Sequence, residues 1–175
     1  MIDPEKSADA IPRAAAQLFQ FAIDRGDMNT ILDALPWDAP DKRAILEYEI
    51  QILRIVSVGW AITFFLADSP LKTPLGRHFW QQVQAFSETL STSATLTMGS
   101  DIDYFSILKS RLDQYVGALD AAGKIPQPAM AIGPAFAGIC GDRSDACAVL
   151  AGSKMFVHTI HAVRAHLAAV VRESG

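Results

Sequence analysis

The chain has 175 residues, of which 50% are hydrophobic and 19% are charged, and its formal net charge is −4. The length suits one domain, since domains usually hold roughly 100–200 residues. So much apolar content excludes an intrinsically disordered chain. The acidic balance, without a cluster of Lys and Arg, argues against nucleic-acid binding, and two cysteines are too few for a disulfide framework.

The N-terminus begins Met1-Ile2-Asp3-Pro4 and lacks the positive segment and apolar run of a secretory signal. The one membrane-like run that we find is Ile50 to Ala67, which Arg54 interrupts so that 13 residues without a charge remain. A membrane-spanning helix needs about 20 apolar residues. We therefore expect a buried helix of a soluble domain, no membrane association and a cytoplasmic location.

Helical spacing of apolar residues runs through the chain, and no stretch shows the alternation of a β-strand. In chain order we predict helices over 12–25, 30–35, 38–67, 73–90, 100–122 and 144–171, with a short helix at 135–139. Pro12 suits the first position of a helix, and Gly26 suits its end. The Ser- and Thr-rich segment 91–99 and most of the segment 124–141 are predicted to be loops.

Three predicted helices carry apolar residues three or four positions apart, as helices packed in a bundle do. The seams are Leu75-Phe79-Val83-Phe86-Leu90, Phe105-Leu108-Leu112-Tyr115-Leu119 and Phe156-Ile160-Val163-Leu167-Val170. We predict an all-α fold, a single helical domain of five to seven helices around a central hydrophobic helix. Helices in 1–36 would pack on a bundle core formed by 38–175.

Three of the four histidines lie on the last predicted helix, so a metal or ligand site has to be considered. His158 and His161 are three residues apart, a spacing that can chelate a metal, and they lie opposite the apolar seam. His78, beside Phe79 and Trp80, is the candidate for a haem-like site. No Glu-x-x-His pair accompanies these residues, so we predict no cofactor.

The rear face of the last helix carries His158, Ala162, Ala165 and Ala169 and few charges. Small side chains allow another backbone to approach, so we expect either the N-terminal helix (Ala14, Ala15, Leu18 and Ala22) or a second copy to cover them. A two-fold homodimer would use these four residues as its interface.

Cys140 and Cys147 are separated by six residues, a spacing unlike that of zinc or thioredoxin-type sites. Cys147 is predicted in the first turn of the last helix, where backbone N–H groups, with Arg143, would favour a thiolate. A reversible disulfide is one interpretation, and two ordinary buried thiols are the other.

The sequence lacks nucleophile-elbow, P-loop and dinucleotide-binding motifs, and we lean towards a protein that is not an enzyme. The leading hypothesis is a protein–protein interaction module that self-associates or binds a protein partner, in an adaptor, regulator or immunity-type role. The alternatives are a bundle that binds a small ligand, haem or a metal through His78, His158 or His161, and a thiol-redox protein that uses Cys140 and Cys147.

Overall fold

The computed structural model describes residues 4–36, 40–123 and 127–174, and seven α-helices but no strand occur within these ranges. The helices are α1 (Pro4–Ile23), α2 (Gly26–Asp33), α3 (Pro40–Phe65), α4 (Lys72–Met98), α5 (Tyr104–Ala122), α6 (Ala129–Ile139) and α7 (Ala146–Ser174). The all-α prediction is confirmed. The predicted start of the third helix at Asp38 and Ala39 lies outside the described residues.

Two helix starts follow the capping chemistry that their sequences indicate. The Asp103 carboxylate accepts a hydrogen bond from the Ser106 backbone N–H at 3.0 Å, which caps α5. The Asp145 carboxylate accepts from the backbone N–H groups of Cys147 and Ala148 at the start of α7. Gly123, with φ of 65°, follows the end of α5 as predicted.

The loop predicted at 91–99 is wrong, because α4 continues through it to Met98 and ends at Gly99, which has φ of 64°. Hydroxyls along this segment donate to the carbonyl four residues earlier, as in Thr95 to Ser91 and Thr97 to Ser93. The Ser and Thr hydroxyls therefore find hydrogen-bond acceptors on the helix itself and do not disrupt its backbone hydrogen bonds.

The N-terminal boundaries also differ from the prediction. Pro12 lies inside α1 at an exposed position, and Gly26 begins α2 rather than ending α1. The Asp24 carboxylate accepts a hydrogen bond from the Gly26 N–H at 3.2 Å, which turns the chain from one helix directly into the next. The short helix predicted at 135–139 is the second half of α6, which begins at Ala129 and contains Pro134.

Helix α3 contacts each of the six other described helices, and every residue from Ile52 to Gly59 is buried. The most extensive contacts join α6 to α7, α3 to α7 and α1 to α4. Within the described ranges α4 and α5 do not contact α7; instead α1 packs on α4, and α6 packs on both α5 and α7. The seams predicted for α4, α5 and α7 all face the core as buried or half-buried residues.

Close packing between α6 and α7 depends on two buried glycines. A Cβ added at Gly152 would lie 2.7 Å from the Cβ, Cγ and Cδ1 atoms of Phe136. A Cβ added at Gly133 would lie 2.8 Å from the Val149 carbonyl oxygen. Since carbon atoms in contact normally sit about 3.5–4.0 Å apart, the two helices approach this closely only because side chains are absent there.

By length and composition alone, α3 and the segment 146–172 of α7 are each apolar enough to cross a membrane. Of the most apolar 18-residue segment in each helix, 67% is buried inside the fold in α3 and 39% in α7. Core helices of globular proteins pass the same test, and the lower value for α7 directs attention to its exposed side.

Candidate functional site

Helix α7 has two sharply different faces. The inner face carries Phe156, Val163, Leu167 and Val170, which are buried against the rest of the bundle. His158 and His161 are exposed on the outer face, opposite that seam, as the spacing predicted.

A continuous stripe of basic and apolar side chains follows the outer face of α7, and we call it the basic stripe. It comprises Leu150, Lys154, Val157, His161, Arg164, Ala168 and Arg172, all of which are exposed. Residues 146–172 hold three of the 15 Lys and Arg of the chain and none of its 19 Asp and Glu. An acidic protein therefore presents one helix face on which the formal charges are positive and the remaining side chains are largely apolar.

The first half of the basic stripe forms one wall of a groove whose other wall is α2. The groove encloses about 580 Å³ and is lined by Asp27, Thr30, Ile31, Ser153, Lys154, Val157, His158 and His161. Most of the surface that it offers is apolar, contributed in part by Ile31 and Val157, while Lys154 and the two histidines place donors at its edge. We call it the α2–α7 groove.

Hydrogen bonds and ion pairs that involve Asp27, Arg54 and His158 connect both walls of the groove to the buried helix α3. Arg54 on α3 is 1% exposed, and its Nη2 donates to Asp27 Oδ2 at 2.9 Å. The Nη1 atom of Arg54 donates to the Asp24 carbonyl at 3.0 Å, and the guanidinium lies 4.3 Å from the ring centre of Phe21. His158 Nε2 on α7 lies 3.0 Å from the same Asp27 oxygen. Residues of three helices, α2, α3 and α7, thus meet at the Asp27 carboxylate.

The electrostatics of this network favour an ionised Asp27. Burial acts to raise the pKa of the Asp27 carboxyl, but the hydrogen bond and charge of His158, together with Arg54, outweigh it and hold this pKa below its usual value. The carboxylate compensates the buried Arg54 guanidinium, which would otherwise be very costly to desolvate.

An aspartate that orients a histidine also occurs in general-base catalysis, so nucleophiles near His158 matter. The two hydroxyls that line the groove are engaged with the backbone: Ser153 Oγ donates to the Ala129 carbonyl and Thr30 Oγ1 to the Gly26 carbonyl. Both groove hydroxyls are thus already engaged, and the Asp27–His158 pair links α2 to α7.

The predicted interface residues are only partly covered. Ala162 and Ala169 are half-buried, whereas Ala165 and His158 are exposed. Helix α1 contacts α7, and the Phe21 ring centre lies 6.4 Å from that of His158. The N-terminal helix thus covers one edge of the predicted interface, and the homodimer stays a prediction.

The predicted metal and haem ligands are not gathered into one cluster. No group of three or more His, Cys, Asp and Glu suited to a metal occurs within the described part of the chain. His158 and His161 share the α2–α7 groove, while His78 is half-buried on α4.

The two cysteines have different surroundings. Cys147 lies in the first turn of α7, as predicted, and its Sγ donates to the Pro36 carbonyl at 3.7 Å. Burial raises the pKa of the Cys140 thiol to about 12, with the nearby Glu49 charge adding to the effect. A thiol with so high a pKa is a poor nucleophile near neutral pH, which weakens the redox interpretation at Cys140.

A second buried ion pair joins α3 to α5. The Glu49 carboxylate accepts from Arg111 Nε at 2.8 Å and from Arg111 Nη2 at 2.7 Å, and the Glu49 side chain is 7% exposed. Glu47, two residues earlier, points elsewhere and accepts from Arg43 at 2.9 Å. The bidentate geometry fixes the position of α5 on α3.

Sequence reasoning missed Asp27, Arg54 and the Glu49–Arg111 pair. One signal was available, because a charged residue inside an apolar helix must find a partner when it is buried. The position of Arg54 in the apolar run 50–67 therefore indicated that it forms a buried ion pair. Its partner on α2, 27 residues earlier, could not be identified without the packing of α2 on α3.

Comparison with known proteins found no matching family model, no similar curated protein and no similar solved structure.

Proposed function

We propose that the chain is a non-enzymatic protein-interaction module whose α2–α7 groove and basic stripe bind an acidic amphipathic helix of a partner protein. The observation that carries the proposal is the outer face of α7, where exposed apolar side chains are flanked by Lys154, Arg164 and Arg172 and residues 146–172 contain no acidic residue.

The dimensions of the basic stripe suit a helical partner. From Leu150 to Ala168 the helix rises about 27 Å, at 1.5 Å per residue, which matches a partner helix of about five turns. Leu150, Val157 and Ala168 would contact its apolar positions, spaced as in helix-in-groove recognition. The flanking cations would pair with acidic side chains, which mainly fixes register and partner choice.

Charge favours a separate acidic partner over a second copy of this chain. In a two-fold dimer the same patch faces itself, so Lys154 and Arg164 of the two copies would be brought towards like charges. Like-charge contacts across an interface are unfavourable. Self-association through Ala165 and its neighbours remains the alternative form of the interaction hypothesis, and the experiment below distinguishes the two.

The test is a selection from a display library of 18-residue amphipathic helices whose polar positions vary freely between acidic and basic residues. We expect binders with acidic polar faces. We expect the double variant Lys154→Glu/Arg164→Glu to bind them at least tenfold more weakly, and raised salt to weaken binding as it screens exposed charges. Arg77→Glu, an exposed cation on α4, is the matched control and should bind as the unsubstituted chain does.

Two outcomes would contradict the proposal. One is enrichment of peptides irrespective of their charge, and the other is undiminished binding by the double variant. Light scattering after size-exclusion chromatography addresses self-association. A dimer that Ala165→Arg converts to a monomer would support the homodimer and count against the acidic partner.

A further inference from the structure

A second cleft lies where the end of α1, the first half of α3, the last turns of α4 and the start of α5 meet. It encloses about 610 Å³, within the range of roughly 300–1,000 Å³ that is typical of small-molecule sites. Its lining is mostly apolar and comprises Ile23, Arg25, Ala44, Glu47, Tyr48, Gln51, Phe86, Leu90, Ser91, Ala94, Met98, Ile102 and Tyr104. We call it the α1–α4 cleft.

Aromatic rings form its inner wall. Tyr48, Tyr104 and Phe86 meet edge to face, with ring centres 6.2 Å apart for the two tyrosines and 6.4 Å apart for Tyr104 and Phe86. Phe19 extends the series behind Phe86 at 5.8 Å. Rings held in this way present a firm apolar surface to a flat or chain-like ligand. Met98, which also lines the cleft, is 66% exposed.

Two charged side chains, Glu47 and Arg25, line the cleft, and they differ in how many of their hydrogen-bonding positions are already occupied. Glu47 already accepts a hydrogen bond from Arg43 at 2.9 Å, and Arg43 is also paired with Asp33. Arg25 Nη2 forms a long, solvent-exposed ion pair with Glu47 Oε2 at 3.9 Å, beyond hydrogen-bond distance, and the Arg25 side chain is 64% exposed. Arg25 is the only cation among the residues that line the cleft. Its guanidinium is therefore placed to receive a carboxylate in the two-pronged geometry that arginine favours.

We infer that the α1–α4 cleft binds a small amphipathic monocarboxylate, with its apolar or aromatic body against Phe86, Tyr104 and Tyr48 and its carboxylate on Arg25. The inference is independent of the proposed protein partner, because the cleft shares no lining residue with the α2–α7 groove.

Calorimetry with 4-phenylbutyrate and its neutral amide, 4-phenylbutanamide, separates the apolar from the ionic contribution. We expect the acid to bind about fivefold more tightly than the amide, a modest ratio because the arginine is exposed. Arg25→Gln should remove this preference and Arg25→Lys should retain part of it. Arg13→Gln, which replaces an exposed arginine on α1 outside the cleft, should leave the preference unchanged.

Filling the cleft tests its location. Ala94→Trp should abolish binding of both compounds, whereas Ala85→Trp, at an exposed site on α4 outside the cleft, should not. Shifts of the Met98 methyl resonance on titration with 4-phenylbutyrate give a readout that needs no substitution. The inference is overturned if neither compound binds at millimolar concentration or if Ala94→Trp, with an unchanged melting curve, still binds. Equal affinity for acid and amide would refute the carboxylate assignment.

Discussion

The close contact between α6 and α7 predicts that replacing glycine by alanine changes stability differently at two positions, Gly152 on α7 and Gly117 on α5. Gly152 is buried on α7, and an added Cβ would meet three atoms of Phe136 at 2.7 Å. Rotation of the Phe136 side chain about its Cα–Cβ bond would relieve the Cγ and Cδ1 contacts but not the Cβ contact, because Cβ is fixed to the backbone. Gly152→Ala therefore has to push α6 away from α7.

Gly117 on α5 is the matched control, since it is exposed, lies inside a helix and an added Cβ would find nothing within 4 Å. Both substitutions gain the same helix propensity, about 1 kcal/mol for alanine over glycine. The difference between them therefore isolates the steric contact. Overpacking a close-packed core typically costs about 1–3 kcal/mol.

We thus expect Gly117→Ala to unfold at a higher temperature than the unsubstituted chain, and Gly152→Ala to be about 1–3 kcal/mol less stable than Gly117→Ala. Urea unfolding followed by circular dichroism measures both free energies. Equal stabilities of the two variants, or a more stable Gly152→Ala, would refute the close approach of α6 and α7 on which the position of the basic stripe depends.

Two further predictions concern titratable groups. The folded-state pKa of Asp27 is lowered, so its carboxylate stabilises the fold above the unfolded value of 3.8, and this contribution is lost as the pH falls through the lower folded value. Asp27→Asn, which leaves Arg54 with a weaker partner, should therefore lower the free energy of unfolding by about 1 kcal/mol at pH 7. The difference between the two proteins should shrink as the pH falls below 3.8 and the Asp27 carboxylate is protonated, and a difference that stays constant as the pH is lowered from 7 would contradict the ion pair. For Cys140, whose pKa is raised to about 12, iodoacetamide labelling at pH 8 should be more than tenfold slower in the folded protein than in urea, measured by peptide mass spectrometry. Rapid labelling of folded Cys140 would instead support the thiol-redox hypothesis.

Local chemistry explains which elements could be predicted. Asp103 and Asp145 cap the helices that follow them, and Gly123 ends α5, because these signals act within a few residues. The same locality explains the errors. Ser and Thr residues in 91–99 suit a loop or a helix, and in the structure their hydroxyls donate to carbonyls four residues earlier on a largely exposed helix.

The candidate site shows the same division. The spacing of Phe156, Val163 and Leu167 predicted which side of α7 is buried, and so predicted that His158 and His161 lie on the outer side. The partner of Arg54 could not be derived in this way, since Asp27 comes from a helix whose docking depends on the whole bundle.

The sequence by itself determined that this chain is all-helical, which faces of α4, α5 and α7 are buried and that residues 146–172 contain no acidic residue. These properties follow from periodicity and composition, which need no knowledge of the neighbouring helices. Only the tertiary structure decided that α2 forms a groove with α7, that α6 rather than α4 or α5 packs on α7, and that α1, α3 and α4 leave a cleft beside Arg25. Such features depend on contacts between residues distant in the chain, and the helical periodicity that selects a buried face does not select the helix that covers it.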